Sequence, residues 1–385
     1  MKIVLASDSY KGSLSSTQVN NIVAQQAQKV FGKCDIKKVQ MADGGEGTLA
    51  AVLETDKDYR KVEVKVSDPL GNVITASYIM KKDVAVIEMA EASGLTLVPS
   101  KLRNPLNATS KGTGQLIADA LKNGAVNIYI GIGGSASNDG GMGAMTMLGY
   151  RFLDQNGNEL KGTGGDLEKV VAIDDKSVMP ELKKAKFTVM CDVTNPLTGE
   201  KGATYVFGPQ KGADDEIANR LERGMLNYSK VLSKFLGRDI SSLPGMGAAG
   251  GMGAALYAFT DSKMESGIRV LLDLNDFDNL IKDADMVITG EGRTDEQSAG
   301  GKVVSGIAKR CKENKTPLYV LSGSLSGDLE ELYDMGVTGM QACVCDVIDI
   351  SDAMKNAQVY LERAAGRLFR IIKADYFESL ESVLT

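Results

Sequence analysis

At 385 residues the chain is too long for one small module, and at roughly 150 residues per domain it is expected to form two or three domains. Hydrophobic residues make up 43% and charged residues 24%, as in globular proteins, and a net charge of -6 argues against a nucleic-acid partner. The longest apolar runs fall far short of the roughly 20 residues that span a bilayer, so no membrane partner is expected either.

The absence of histidine restricts the chemistry. It excludes a Ser-His-Asp triad, an imidazole base and His-ligated zinc, so acid–base work falls to Asp, Glu, Lys, Tyr or Cys. The five cysteines include no C-x-x-C pair, which predicts buried free thiols in a reducing compartment. The first residues lack the apolar stretch of a signal peptide. We therefore expect a cytoplasmic protein.

The chain opens with alternating strands and helices. Lys2–Ala6 is a short apolar run, typical of a strand in a parallel sheet, and a helix capped by Ser15 or Ser16 follows it. Ile36–Met41 then predicts a second strand, and Glu46–Glu54 predicts a second helix.

Between residues 59 and 280 the pattern changes. Three strands suggest an antiparallel segment, and further strands and helices follow. The predicted strands are Lys61–Val66, Ile74–Met80, Ala85–Met89, Ile128–Ile132 and Phe187–Cys191, and the predicted helices are Gly114–Asn123, Gly143–Gly149 and Asp215–Leu236. We interpret this part as a second α/β domain inserted into the first.

The alternation returns after residue 281. The predicted strands are Asp285–Thr289, Pro317–Ser322 and Gly339–Cys345, and the predicted helices are Lys302–Asn314, Asp328–Met335 and a long Ser351–Lys373. With the two strands at the start, they predict a doubly wound parallel sheet of strand order 2-1-3-4-5. The predicted domains are 1–58 with 281–385, and 59–280, and the cleft between them is the expected ligand site.

Acidic residues and glycines follow the strands of the outer domain. Ligands of open parallel sheets bind outside the carboxyl ends of the strands. The segments found there are Asp8–Ser13, Asp43–Thr48, Gly290–Asp295 and Ser322–Ser324. Crowded carboxylates are unfavourable unless cations neutralise them, so this edge is expected to bind a cation.

The mixture of glycine-rich turns, lysines and carboxylates suits phosphoryl transfer. Backbone amides hold phosphate oxygens, lysine neutralises charge, and carboxylates hold Mg²⁺. The chain has no P-loop motif, and Gly131–Ala136 is not a dinucleotide fingerprint because Ala136 replaces the third glycine. A glycine-rich turn alone also fits a simple tight turn.

The proton acceptor of such a reaction is expected among the carboxylates. Asp192, Asp43 and Asp8 are the candidates, since each follows a predicted strand. The structural alternative is an Asx-turn for Asp192 and a helix cap for Asp43.

Charged side chains in glycine-containing loops supply the other candidates. Lys11 and Lys211 are the predicted catalytic lysines, and Lys302 is a further anion-binding lysine. Glu291 and Asp295 are the predicted Mg²⁺ ligands, because neighbouring glycines leave room for a metal and phosphates. A solvated surface is the alternative for each of them.

The remaining candidates bind substrate or phosphate through hydroxyls, amides or charge, with helix capping as the alternative for the hydroxyls. They are Ser9, Gly44, Gly45, Ser110, Thr113, Gly133, Gly134, Ser135, Asp139 and Arg293.

Taken in chain order, these segments resemble the type I glycerate kinase family over nearly the whole chain. The motifs that carry the resemblance are Asp8–Lys11, Ala42–Thr48, Ala92–Leu95, Thr109–Gly114, Gly131–Gly141, Cys191–Leu197, Phe207–Ala213, Gly245–Gly253 and Ile288–Gly292. The resemblance implies a flavodoxin-like doubly wound domain with a restriction-endonuclease-like α/β domain inserted. It also implies transfer of the γ-phosphoryl group of ATP, with Mg²⁺, to D-glycerate, giving 2-phosphoglycerate and ADP.

Two alternatives stay open. One is a kinase for another small hydroxy or sugar acid, because the shape of the pocket decides the substrate. The other is a non-catalytic nucleotide- or metabolite-binding regulator of the same fold, which would be expected to lack some of the acids. All of the acids are present, which favours the enzyme. The base, the phosphorylated position, the nucleotide preference and assembly into a homo-oligomer also stay open.

Overall fold

A computed structural model describes residues 1–41 and 47–384 of the chain. The strands are β1 (Lys2–Leu5), β2 (Asp35–Lys38), β3 (Arg60–Ser67), β4 (Val73–Lys81), β5 (Val84–Glu88), β6 (Asn127–Gly131), β7 (Arg151–Leu153), β8 (Ala172–Asp174), β9 (Lys186–Met190), β10 (Asp261–Glu265), β11 (Met286–Thr289), β12 (Arg293–Thr294), β13 (Leu318–Ser322), β14 (Ser324–Leu325) and β15 (Gly339–Ala342). The helices are α1 (Ser16–Phe31), α2 (Thr48–Thr55), α3 (Ala90–Ser93), α4 (Lys111–Lys122), α5 (Met142–Met147), α6 (Ala203–Phe207), α7 (Asp215–Leu236), α8 (Ala248–Phe259), α9 (Gly267–Leu274), α10 (Phe277–Ile281), α11 (Val303–Asn314), α12 (Glu330–Asp334), α13 (Ile350–Lys355) and α14 (Ala357–Leu384).

These elements form two compact units. Among the described residues, the first unit comprises 1–41, Ala50–Asp56 and 271–384, and the second comprises 47–49 and Lys57–Val270. The predicted domain boundaries, 1–58 with 281–385 and 59–280, stay a prediction.

The first unit contains a five-stranded parallel sheet of order β2-β1-β11-β13-β15. The predicted order 2-1-3-4-5 is therefore confirmed. Ile3, Val4 and Leu5 are fully buried, as expected for a strand that is covered on both faces. Helices α1 and α14 pack together, with the rings of Phe31 and Phe369 5.5 Å apart, and α11 packs against β11 and β13.

Local sequence sets the start of α1. Ser15 caps α1: its Oγ accepts the amide of Gln18 at 3.2 Å, and the Gln18 side chain accepts the amide of Ser15 at 2.9 Å.

The single helix predicted over Ser351–Lys373 is wrong, because a break at Asn356 separates α13 from α14. The Asn356 side chain donates to the carbonyl and carboxylate of Asp352, and such local bonds compete with the helix.

The second unit contains a six-stranded sheet of order β10-β9-β6-β5-β4-β3. Its β3–β4–β5 part is antiparallel, as predicted, and β5, β6, β9 and β10 run parallel. Leu116 and Leu121 of α4 and Ile87 of β5 are among its fully or nearly fully buried core side chains. The sequence did not predict β10, which has no apolar alternation, or α8, which is glycine-rich at its start.

The cysteines differ in how deeply they are buried. Cys311 and Cys343 are buried, but Cys345 is exposed, so the prediction that all the thiols are buried is wrong. Cys345 lies beyond the end of β15, where the chain leaves the sheet.

Across residues 1–41 and 47–384, no helix has both the length and the apolar character needed to cross a membrane.

Candidate active site

The first unit places two predicted acids at one sheet edge. Asp8 follows β1 and Glu291 follows β11, and these strands are parallel neighbours. The amide of Asp8 donates to the carbonyl of Gly290 at 2.8 Å, so the two loops are joined. Burial raises the pKa of Glu291, and the negative charge of Asp8 adds to this rise. The two carboxylates are therefore close enough to repel each other, as the sequence predicted for acids at this edge.

Buried hydroxyl groups hold the Glu291 carboxylate in place. Thr294 Oγ1 donates to Glu291 Oε1 at 3.0 Å and lies 2.7 Å from Ser322 Oγ. Thr294 and Ser322 are fully buried. The sequence analysis did not single out Thr294. The available signal was a hydroxyl residue inside an acidic glycine loop that directly follows a buried strand.

The other charged residues of this loop have different partners. Asp295 Oδ1 accepts the amide of Gln297 at 3.0 Å and caps the 3-10 turn that follows. Its Oδ2 lies 3.2 Å from Nε of the exposed Arg293. Lys302 is exposed at the start of α11, and its positive charge partly offsets the rise in the pKa of Glu291. Asp295 thus caps a turn and pairs with a positive charge, whereas the hydrogen-bond partners of Glu291 are neutral hydroxyls.

The loop after β1 lines an open pocket. Residues 9–15 surround a volume of about 410 Å³. The amide of Ser9 donates to Asp8 Oδ1 at 2.6 Å, and the side chain of Lys11 is exposed. The buried hydroxyl of Tyr10 donates to the carbonyl of Leu321 at 2.6 Å and anchors the loop to β13. The anchored loop therefore carries an exposed lysine, Lys11, next to Ser9.

Three of the predicted residues, Asp43, Gly44 and Gly45, lie outside the described residues. Within 1–41 and 47–384 there is no group of three or more Cys, Asp or Glu side chains arranged to hold a metal ion. The Asp8 and Glu291 carboxylates form a pair, near enough for the charge of Asp8 to raise the pKa of Glu291.

In the second unit, a buried ammonium group lies beside the turn after β6. Lys211 is 2% exposed, and its Nζ donates to Ser135 Oγ at 2.9 Å and to the carbonyl of Ser137 at 2.6 Å. Burial lowers the pKa of Lys211 to about 7, against the opposing negative charge of Asp139. A buried cation with only neutral direct partners is unfavourable on its own, which is the setting expected for an anion-binding group.

Asp139 is a buried anchor of the same turn. Its Oδ2 accepts the amide and the hydroxyl of Ser110, both at 2.7 Å, and the amide of Gly143 at 3.2 Å, while Oδ1 accepts the amide of Gly141 at 3.1 Å. Burial raises the pKa of Asp139, and these hydrogen bonds oppose the rise. Ser110 does not cap α4 with its side chain, since its Oγ instead accepts the amide of Ala144 at 3.0 Å. These bonds fix the loop that carries Ser137.

The glycine turn itself is exposed while its neighbours are buried. Gly133 and Gly134 face solvent, and Gly134 has φ of +73°, a conformation that favours glycine. The carbonyl of Gly134 accepts the amide of Leu95 at 2.8 Å. Thr113, in the first turn of α4, donates from Oγ1 to Ser93 Oγ at 2.7 Å. Thr113 therefore supports the α3 segment, whereas Gly133 and Gly134 leave backbone accessible.

Asp192 lies at the carboxyl end of β9, next to β6 in the sheet. Its side chain is exposed, and its Oδ1 accepts the amide of Gly267 at 3.1 Å. Because β6 and β9 are parallel, Asp192 and the turn around Ser135 belong to the same sheet edge. Among the three predicted bases, Asp192 is the most exposed carboxylate that the structure describes.

Sequence analysis also missed three buried polar side chains of the second unit. Asn138 Nδ2 donates to Thr204 Oγ1 at 3.2 Å, and Glu222 Oε1 accepts the amide of Gly199 at 2.6 Å. All three side chains are buried. A signal was available for Glu222, which stands on the apolar face of α7 beside Leu221 and interrupts it.

A family model described as the glycerate kinase family matches residues 3–373. The chain belongs to the glycerate kinase family. A curated glycerate kinase from Halalkalibacterium halodurans is 42% identical over 95% of this chain and 97% of its own length. A glycerate 2-kinase from Escherichia coli K12 is also 42% identical, over 96% of this chain and 97% of its own length. A crystal structure from Salmonella typhimurium LT2, assigned to glycerate kinase 2, superimposes with a TM-score of 0.85 at 42% identity, covering 98% of this chain and 99% of that one.

Membership of the glycerate kinase family makes this protein an enzyme, a kinase. The mixed α/β architecture with parallel strands is shared with the Salmonella structure. Of the predicted site residues, the structure brings together Ser110, Ser135, Asp139 and Lys211 in the second unit. It brings together Asp8, Ser9, Glu291 and Lys302 in the first unit.

Proposed function

We propose that this glycerate kinase family member transfers the γ-phosphoryl group of ATP to D-glycerate, giving 2-phosphoglycerate and ADP. The observation that carries the proposal is the buried Lys211 ammonium, held by Ser135 and the carbonyl of Ser137. A fixed positive charge in a low-dielectric setting stabilises negative charge on a carboxylate or a transferring phosphoryl group far better than a solvated lysine does. The names of the relatives from H. halodurans and E. coli support glycerate as the acceptor.

The candidate residues of the two units differ in kind. In the second unit, Lys211 and Ser135 bind an anionic oxygen, the exposed amides of Gly133 and Gly134 add donors, and Asp192 accepts or orients the hydroxyl proton. In the first unit, the Ser9 hydroxyl and Lys11 bind phosphate oxygens from the loop after β1. Asp43, Gly44 and Gly45 keep their predicted roles as base and phosphate-binding turn.

The donor set of the first unit fits Mg²⁺. Carboxylate oxygens are the ligands this ion prefers, and Asp8 and Glu291 destabilise each other's charge, which a cation would relieve. We propose Glu291 and Asp8 as its ligands, with Asp295 retained from the sequence prediction. Mg²⁺, when bound, neutralises charge on the phosphate oxygens.

We also propose that the first unit is a flavodoxin-like domain and the second a restriction-endonuclease-like domain inserted into it. The strand order 2-1-3-4-5 supports the first assignment. We further propose that the enzyme acts in the cytoplasm.

A coupled ADP-release assay over a panel of hydroxy acids tests the function. We expect D-glycerate to give the highest kcat/KM, and another hydroxy or sugar acid to be a poor acceptor. A higher kcat/KM for a different acid would replace the proposed substrate. No ADP release above background with any acceptor would favour a non-catalytic regulator.

A further inference from the structure

Strand β5 ends in a buried carboxylate that sequence analysis did not single out. Glu88 is 5% exposed and follows Val86 and Ile87, which are fully buried. Its Oε1 accepts the amide of Leu49 at 2.8 Å, and the amides of Gly47 and Thr48 also donate to this carboxylate. Three successive amides at the start of α2 therefore converge on one side chain.

This contact replaces a local helix cap. The first amides of a helix need outside acceptors, and a negative charge is favourable there. The residue before α2 is Gly47, which has φ of +97° and no side chain to offer. The acceptor comes instead from Glu88, 39 residues from Leu49 along the chain. The position of the Gly47–Leu49 turn therefore depends on a distant strand.

The strand end that holds this turn belongs to the site edge of the second unit. Glu88 is paired in register with Gly131 of β6, directly before the turn that carries Ser135. The amide of Met89 donates to the carbonyl of Gly131 at 2.8 Å. The Gly47–Leu49 turn is thus tied to the same sheet edge as Ser135 and its partner Lys211.

We propose that Glu88 is a positioning residue for phosphoryl transfer, whose carboxylate holds the Gly47–Leu49 turn at the sheet edge that carries Ser135 and Lys211. The inference rests on the proposed kinase function. Gly47 and Thr48 end the Ala42–Thr48 motif of the family resemblance, so displacement of this turn moves one end of a motif predicted to bind substrate or phosphate. Small misplacements in such sites lower rates about a hundredfold.

The proposal predicts a pH dependence. Burial raises the pKa of Glu88 to about 7, and the charge of nearby Glu91 adds to the rise, while the three amides oppose it. A protonated Glu88 carboxyl group would place an O–H donor against the three amide N–H donors, so at least one of these hydrogen bonds is lost. The rate should therefore fall as pH decreases through about 7. Lys211 acts in the opposite direction, because its ammonium is lost as pH increases through its own pKa of about 7.

The kinetic test compares E88Q with E91Q, a matched carboxylate three residues away that accepts the Ser77 hydroxyl at 2.7 Å. Both variants and the wild type are assayed with ATP and D-glycerate from about pH 5.5 to about pH 8.5. We expect E88Q to lose about tenfold to a hundredfold in kcat and to lack the acidic limb of the profile. E91Q should keep the rate and an acidic limb, and the limb should lie at somewhat lower pH because the negative charge of Glu91 is gone. An unchanged acidic limb in E88Q would overturn the proposal.

A spectroscopic readout separates this contact from the chemistry. In protein labelled with ¹⁵N-leucine, the Leu49 resonance is assigned by comparison with Leu49→Ile. We expect its amide shift to titrate with a midpoint near the pKa of Glu88 in the wild type and E91Q, and not in E88Q. The same titration in E88Q would refute the capping contact. An inactive wild type would refute the proposed function and the role of Glu88 in it, whereas the Leu49 titration would still decide the contact.

Discussion

Replacing Lys211 by Met separates catalysis from stability, because the two properties should change in opposite directions. The ammonium is buried, and its pKa falls from 10.5 to about 7. At about 1.36 kcal/mol per pKa unit, holding the charged form in the folded protein costs roughly 5 kcal/mol relative to the unfolded chain. Methionine has a similar length and no charge, so the substitution removes this cost. It also removes the two hydrogen bonds of Lys211, which lowers the gain in stability by about 1–3 kcal/mol for each bond.

The sign of the stability change follows from proton binding. Between pH values of about 7 and about 10.5 the unfolded chain binds a proton at Lys211 that the folded protein does not, so the wild type gains stability as pH rises through this window. K211M lacks this gain. Its free energy of unfolding should equal or exceed that of the wild type at pH 7 and below, and the difference should shrink or reverse at higher pH.

The activity should fall sharply in the same variant. Loss of a positioned charge that stabilises the transferring phosphoryl group lowers kcat by about 10²–10³, or roughly 3–4 kcal/mol. The measurement is kcat and KM for ATP and for D-glycerate, with urea unfolding at several pH values. Lys230→Met, an exposed lysine of α7 in the same unit, is the control and should match the wild type. Wild-type kcat in K211M would refute the role of this ammonium.

Three further predictions address the remaining groups. Lys11→Met should lower kcat with unchanged melting if this exposed lysine neutralises phosphoryl charge, whereas a rise in KM alone would assign it to substrate binding. Excess EDTA should abolish turnover and Mg²⁺ or Mn²⁺ should restore it, and full turnover in EDTA would contradict a metal at Asp8 and Glu291. Asp139→Asn should lower the free energy of unfolding by about 2–4 kcal/mol in urea, because an amide nitrogen would face N–H donors, whereas exposed Glu181→Gln should not.

The sequence predicted the sheet of the first unit because its signals are local. Apolar runs such as Lys2–Ala6, and the cap at Ser15, decide where an element begins. A strand–helix alternation then leaves few topologies, and the observed order is the expected one. The break at Asn356 was missed because the competing bonds to Asp352 involve side chains within an otherwise helical pattern.

The site residues were harder to predict, because their roles depend on contacts across long stretches of chain. Strand ends identified Asp8 and Glu291, and the structure places them together. The burial of Lys211 and its contact with Ser135 join positions 76 residues apart, which no local pattern encodes. Glu88 was missed for the same reason, since only folding brings the start of α2 to the end of β5.

The most direct test of the phosphoryl transfer is a ³¹P NMR spectrum of the products formed from ATP, Mg²⁺ and D-glycerate. We expect ADP and one new phosphomonoester resonance, split into a doublet by the single proton on carbon 2 of glycerate. A triplet from the two protons on carbon 3 would contradict the proposed 2-phosphoglycerate product. Inorganic phosphate without a phosphomonoester would contradict transfer to glycerate altogether.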